Sequence, residues 1–201
     1  HTKSFVHYTS LNKKKWEFTS DKHAETLKNI MLRYFTYYSP ATLADFCHWS
    51  GLKKSFVEGK FNEIKNSLEE FSFDNKKYYL PKNDEDLLAL KNDNRFNDNK
   101  EALLLGKFDP LFVCYKHKDW IASPAQEKEV WRTSAIIEAV FLLGNRLSGT
   151  WRYETKGKNI NFNFFMFEKV NASEKKKLIK KAENLALFQK KKINEVNFNS
   201  Y

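Results

Sequence analysis

The side chains that could do chemistry are few and scattered. His117 lies in Tyr115-Lys116-His117-Lys118-Asp119 with no second His or Cys near it, and His23 and His48 stand alone. A metal site needs ligands at short, repeated spacing, so no metal is expected. Cys47 and Cys114 sit among apolar residues. They read as two buried thiols of a reducing compartment, which places the chain in the cytoplasm. Asp109 precedes Pro110, an Asp-Pro turn at the end of a strand. A lone acid can act as a general base, but a turn is the plainer role. No HExxH, GxSxG, Walker or GxGxxG pattern occurs, so no cofactor is expected and no residue is assigned a catalytic role.

The cations are more informative. The formal charge is +10 and the isoelectric point about 9.4, which attracts phosphate backbones or anionic lipid. The competing reading is compositional, since a chain rich in Lys, Asn, Phe and Ile gains charge without gaining a site. The charge is uneven: residues 1–90 carry 14 Lys/Arg against 12 Asp/Glu, residues 91–201 carry 21 against 13. An electrostatic footprint should therefore lie in the second half. The longest strongly apolar run, Ala139–Leu143, is far short of a membrane span. No signal peptide opens the chain, which starts at His1 and reads as a fragment of a longer protein.

These groups must be held by elements that the hydrophobic periodicity outlines. Leu27, Ile30, Met31, Tyr34, Phe35 and Tyr38 recur at helical spacing. Ser39-Pro40 stops that helix and starts a short one, with Ser39 as cap, running from Ala41 to about Trp49 and ended by Ser50-Gly51. Val57, Phe61, Ile64, Leu68 and Phe71 mark a third helix from about Lys54. An Asp74-Asn75 turn between aromatic segments predicts a β-hairpin. This order is that of a winged helix-turn-helix. Residues 83–100, rich in Asn, Asp and Lys, read as a linker. Beyond it, strands are expected over Ala135–Leu143, Leu147–Glu154 and Asn161–Phe167, and then a helix from Ser173, capped by Asn171 with Glu174. Its buried stripe is Leu178, Ile179, Ala182, Leu185 and Ala186.

Three basic groups follow from this outline. On the third helix, the face opposite the apolar stripe offers Ser55, Gly59, Asn62 and Asn66, with Lys53, Lys54, Lys60 and Lys65 at its sides and Glu58 and Glu63 flanking. Asn can read adenine in the major groove; a helix that only packs its neighbours is the alternative. The hairpin turns of the second half carry Arg146, Arg152, Lys156 and Lys158. The last helix carries Lys175, Lys176, Lys177, Lys180 and Lys181, followed by Lys190, Lys191 and Lys192. Each of these groups is either a phosphate-contacting face or a solvated one.

Three stretches resemble a known family. Arg33-Tyr34-Phe35, Ser39-Pro40-Ala41-Thr42, Asp45-Phe46 and Trp49-Ser50-Gly51-Leu52 form the first, and Leu104 to Leu111 around Phe108-Asp109-Pro110, with Tyr115 to Lys118, the second. Leu143 to Arg152, ending in Gly149-Thr150-Trp151-Arg152, is the third. Over roughly residues 25–190 they resemble the winged-helix DNA-binding family that includes the bacterial AlkZ-type DNA glycosylases. The resemblance implies tandem winged-helix units that grip duplex DNA in a protein that hydrolyses N-glycosidic bonds of alkylated or crosslinked bases. It places that chemistry in a Gln-x-Gln or Gln-x-Asp motif. The only glutamines here are Gln126 and Gln189, and neither forms it, so the motif is expected upstream of His1. Gly144-Asn145-Arg146 stands where the family has Asp-Gly-Arg, and His117 where it has Asp. The resemblance carries over Arg146 and the Gly149–Arg152 strand. Trp151 is expected within the sheet, with Arg152 on DNA or paired to Asp109.

The reading is an α+β chain, with a winged helix-turn-helix followed by a β-rich winged-helix-like unit closed by a C-terminal helix. Residues 1–19 are the remnant of an upstream unit, 20–82 the winged helix, 83–100 the linker and 101–201 the second DNA-binding unit. The expected DNA contacts are Lys54, Lys60, Lys116, Lys118, Arg146, Arg152, Lys156, Lys158 and Lys180. The competing functions are a non-enzymatic DNA-binding or regulatory protein on the same scaffold and a protein-interaction module.

Overall fold

A computed structural model describes residues 20–82, 100–133 and 135–201. The segment 1–19 and the expected linker, apart from Lys100, lie outside the described residues. The architecture is α+β. Helices α1 (Ser20–Tyr37), α2 (Leu43–Ser50) and α3 (Lys54–Ile64) are followed by a hairpin of β1 (Leu68–Phe73) and β2 (Lys76–Pro81). This is the order expected from the sequence. Met31, Tyr34, Phe35, Phe46, Val57, Phe61 and Tyr79 form their common core. Asp74 and Asn75 both take positive φ, 48° and 56°, which a two-residue hairpin turn requires and Asp and Asn tolerate.

Three local details differ from the expectation. The cap of α2 is Thr42, not Ser39. Thr42 Oγ1 accepts from the Asp45 N–H and Asp45 returns the bond to the Thr42 N–H, a capping box. Ala41 is thereby left extended, and its backbone exchanges hydrogen bonds with Tyr79 of β2 at 3.2 and 2.8 Å. Helix α3 ends at Ile64, because a 3-10 turn, Lys65–Ser67, leads into β1. Leu68 and Phe71 continue the helical spacing but sit on a strand, so Leu68 is buried while Phe71 is 39% exposed. Ile30 likewise points outward, 40% exposed.

The second half is built on one five-stranded sheet in the order β3 (Ala102–Leu105), β6 (Val140–Leu143), β7 (Arg146–Lys156), β8 (Asn159–Met166) and β9 (Lys192–Ser200). Neighbours run antiparallel except β8 and β9, which are parallel. That pairing needs a crossover, supplied by the last helix, here α6 (Ala172–Phe188), whose Asn171/Glu174 capping box is formed. The C-terminal helix is thus followed by a further strand. Phe141, Phe162 and Phe164 are fully buried between sheet and α6 together with Leu178 and Ala182, each large apolar side chain contributing about 1.5–3 kcal/mol.

The expected strand Ala135–Leu143 is two pieces. Ile136–Ile137 (β5) pairs with Trp131–Arg132 (β4), and β6 starts only at Val140. Between β3 and β4 lie a single helical turn, Pro110–Val113 (α4), and helix α5 (Pro124–Val130). These cover the opposite face of the sheet over β3 and β6, burying Phe112, Val130, Val140, Leu142 and Leu147. The two halves meet at residues 113–116. Cys114 belongs to the core of the first three helices. Tyr34 Oη donates to the Cys114 carbonyl at 2.8 Å, Tyr115 Oη to the Tyr38 carbonyl at 2.9 Å, and the Lys116 N–H to Asp45 Oδ1 at 2.7 Å.

Candidate nucleic-acid interface

The exposed face of α3 carries Ser55, Gly59 and Asn62, with Phe56 beside them 66% exposed. Its lysines are matched by acids. Lys54 pairs with Glu58 at 3.4 Å and Lys60 with Glu63 at 2.6 Å, while Lys28 of α1 reaches Glu63 at 3.1 Å. The two lysine ammoniums hold the Glu63 carboxyl below the usual range. This surface is close to neutral.

Lys116 and Lys118 part company. Lys116 is exposed. Lys118 turns inward, its ammonium donating to the carbonyls of Phe112, at 3.3 Å, and Tyr115, and lying 5.2 Å from the centre of the Trp131 ring. Burial pushes its pKa down. Lys118 thus caps the end of α4 rather than facing solvent. His48 and Cys114 are also shifted by burial, the imidazole down and the thiol up, so neither is primed as acid or nucleophile. Both cysteines are free. Among the described residues no three His, Cys, Asp or Glu gather as a metal site, and no helix is long and apolar enough to cross a membrane.

Asp109 and Arg152 are not partners. The Asp109 carboxylate accepts from the Leu111 N–H at 3.0 Å and caps α4, the turn role that Asp-Pro predicts. Trp151 is buried in the sheet, its indole N–H on the Leu105 carbonyl at 2.9 Å. Alternation then puts Arg152 on the face away from α6. There its Nη2 meets Glu138 Oε1 at 2.8 Å. Arg146 is tied to Glu168 at 3.3 Å and Glu174 at 3.8 Å, exposed pairs worth about 0–1 kcal/mol.

At the far end of β7 and β8 the picture changes. Lys156 and Lys158 flank Gly157, which turns the hairpin with φ 58°. Both are exposed and have no carboxylate partner among the described residues. The turn between α6 and β9 comes to the same place, with the Lys192 N–H donating to the Lys158 carbonyl at 2.9 Å and Lys191 Nζ to the Gly157 carbonyl at 2.8 Å. Five lysines, at 156, 158, 190, 191 and 192, therefore crowd one corner of the sheet. Lys180 is exposed on α6.

Sequence reasoning misses three participants: Glu138, Arg132 and Lys107. Glu138 is only 5% exposed and has cations on several sides, Arg152 at 2.8 Å, Arg132 at 3.8 Å and Lys107 at 3.5 Å. An acid in an otherwise apolar run, Ile136-Ile137-Glu138-Ala139-Val140, is the available signal, since a buried charge demands a partner. A separate, mostly apolar cleft of about 430 Å³ lies between the β1–β2 hairpin and residues 111–120, walled by Phe71, Phe73, Tyr78, Tyr115 and Trp120. The two glutamines lie at helix ends. The Gln126 side chain completes the capping box of α5 with Ser123, while Gln189 closes α6 through its backbone N–H.

No curated protein matches the chain. Among solved structures, the Streptomyces sahachiroi DNA glycosylase AlkZ shares the fold with a TM-score of 0.66 at 18% sequence identity, the match covering 89% of this chain and 46% of that one. The present chain thus spans about half the length of that relative. Residues 4–188 match the family described as "DNA glycosylase AlkZ-like", and the chain therefore belongs to the AlkZ-like DNA glycosylase family.

Proposed function

We propose that this chain is the duplex-DNA-gripping portion of a glycosylase-like repair protein acting in the cytoplasm. On this reading residues 20–82 are a winged helix and residues 101–201 a second DNA-binding unit. The observation that carries it is the lysine corner where the β7–β8 turn meets the α6–β9 turn. Five ammonium groups without carboxylate partners among the described residues are a phosphate-binding feature that packing does not require. Arg146, Arg152, Lys116 and Lys180 are further phosphate contacts on the same reading, and Lys54 and Lys60 are subordinate ones.

The binding role is proposed separately from base excision. Family membership favours N-glycosidic hydrolysis by the whole protein, but Gln126 and Gln189 stand far apart in the sequence and form no Gln-x-Gln pair, so no residue of this chain is assigned that step. The non-enzymatic alternative shares the lysine corner and differs only in lacking that step. The test is a titration of duplex DNA with the chain across salt concentrations. The expected result is an affinity falling steeply with salt. In the variant carrying Lys→Ala at 156, 158, 191 and 192, the slope should fall by roughly 0.9 for each phosphate no longer neutralised. Salt-independent binding, or none at low salt, would refute the DNA reading and leave a protein-interaction role.

A further inference from the structure

We propose that Arg152 and Arg132, held by buried Glu138, form a phosphate-binding node on the open outer face of the five-stranded sheet, distinct from the lysine corner. The inference rests on the DNA reading above and names a site within it. Its ligand is a phosphodiester of the duplex backbone.

The face is defined by register. Arg152 of β7 lies beside Asn163 of β8 and Asn197 of β9, and the next row is Thr150, Phe165 and Asn199, where Tyr201 covers the buried Thr150 and packs on Phe165. Segment 110–137 covers this side of the sheet over β3 and β6, while Arg152, Asn197 and Asn199 stay exposed or half-buried. Toward the lysine corner the adjoining row is Glu154, Asn161 and Glu195. The uncovered area is thus polar, with the amides of Asn163 and Asn197 directly beside the guanidinium and two carboxylates, Glu154 and Glu195, one row away.

Glu138 explains why that guanidinium is fixed. A carboxylate buried to this degree is costly unless paired. Oε1 takes the bond from Arg152, while Oε2 is buried without a hydrogen bond, with Lys107 3.5 Å away. Three cations surround this one acid. Glu129, 3.2 Å from Arg132, offsets one of them, which leaves the cluster positive. Arg152 also lies over the Phe165 ring at 5.7 Å. One donor is on Glu138 and one guanidinium face is against an aromatic ring, and with the side chain 47% exposed the remaining N–H groups of a five-donor fork are accessible to a ligand. A fork already oriented loses less freedom on meeting a phosphate than a lysine on a flexible stem. Glu138 is a positioning residue in this scheme.

The experiment uses the full chain and a labelled duplex of about 20 base pairs, with binding followed by anisotropy from low to moderate salt. Variants are R152A, R152K, R132A and E138Q, each verified as folded by thermal melting. R152A should lower the slope of log affinity against log salt by about one. R152K should restore charge but not affinity. E138Q is the sharpest arm. It raises the net charge by one, so a simple charge account requires tighter binding, whereas loss of positioning gives weaker binding. Unchanged slope and affinity in R152A and R132A, with the lysine-corner variant still impaired, would reduce the node to an internal ion cluster and leave the DNA reading intact. Tighter binding by E138Q, or full rescue by R152K, would also overturn the node. Failure of the wild-type chain to bind duplex would overturn the reading beneath it.

Discussion

Asp45 joins the two halves of the molecule, and its replacement gives the most informative stability measurement. It is 3% exposed. Oδ2 accepts from the Thr42 N–H at 2.8 Å and the Thr42 hydroxyl at 2.7 Å, and Oδ1 accepts from the Lys116 N–H at 2.7 Å. In Asp45→Ala the two N–H groups lose their acceptor inside the protein, each at about 1–3 kcal/mol. The capping box also loses one of its two bonds, although Thr42 still accepts from residue 45. The expected cost is about 3–5 kcal/mol, a large part of the roughly 5–15 kcal/mol typical of a domain. Asp45→Asn keeps the shape and one acceptor but turns an NH2 toward a donor, for about 1–3 kcal/mol. Urea unfolding at neutral pH, read by tryptophan fluorescence and by far-UV circular dichroism, measures both. Asp45 presents no charge to the proposed DNA surface, so folded Asp45→Asn should keep the wild-type salt slope. A loss below about 0.5 kcal/mol in Asp45→Ala would refute the idea that this carboxylate holds residues 113–116 onto the first core.

Other perturbations separate structural from binding roles. A Cβ at Gly149 would fall 2.5 Å from Phe141 Cε1 and closer still to the Phe165 carbonyl oxygen. Gly149→Ala should therefore cost about 1–3 kcal/mol, and a thermal melt matching wild type would show that β6 and β8 give way freely. Lys118→Ala should lower stability by uncapping the Phe112 and Tyr115 carbonyls while leaving the DNA salt slope untouched; a slope reduced by about one would instead mean that Lys118 meets a phosphate. Glu70 sits between Lys65 at 2.8 Å and Lys77 at 2.7 Å, and hydrogen bonds from these ammoniums hold its carboxyl down at about 2. Because the folded value is depressed, this contribution to stability is present above the ordinary carboxylate range and is lost as pH falls toward about 2. Carboxyl NMR titration should find the midpoint there and see it rise in a Lys65→Ala/Lys77→Ala variant; a midpoint unmoved by both changes would refute the pairing.

Elements whose apolar residues repeat on one face are legible in the sequence. Met31, Tyr34 and Phe35 of α1, the Asp74-Asn75 turn, and the Asn171/Glu174 cap with Leu178, Ala182 and Ala186 are all as the spacing implies. What escapes is set by partners far along the chain. Strand β9 alternates Val196 and Phe198 with Asn197 and Asn199, but a register shift after Ile193 breaks its period, and its start follows directly on the Lys190–Lys192 run that carries no apolar alternation. Steps of three and four pass smoothly from α3 into β1, which carries the expected third helix on through Leu68 and Phe71. Helix α4 is a single turn set by Asp109 and Pro110, too short for any period to show. Of the cations, Arg152 and the hairpin lysines are visible from sequence. The place of Glu138 beside Arg152 is not, because it depends on the pairing of β6 with β7 and the folding back of β4 and β5.

The placement of the acids, more than that of the lysines, argues for where DNA should lie. On α3 each of Lys54 and Lys60 has a glutamate three or four residues on, so the pairs Lys54/Glu58 and Lys60/Glu63 form within the helix whatever the rest of the chain does. Each is worth little in stability, yet at a Debye length of about 8–10 Å such a pair contributes almost no field beyond its immediate surroundings. The lysine corner is the opposite case. The β7–β8 and α6–β9 turns are separated by the whole of β8 and α6, and hydrogen bonds from Lys191 and Lys192 hold them together. Five like charges within such a corner repel one another, which folding alone would not select. They are stabilised when a polyanion replaces its counterions with them. On the proposal that this chain grips DNA, the α3 helix, with Phe56, Gly59 and Asn62 outward and its charges cancelled, is suited to short-range contact rather than to capture. On the same proposal the order, capture by the sheet and contact by the helix, is set by which cations have acids beside them.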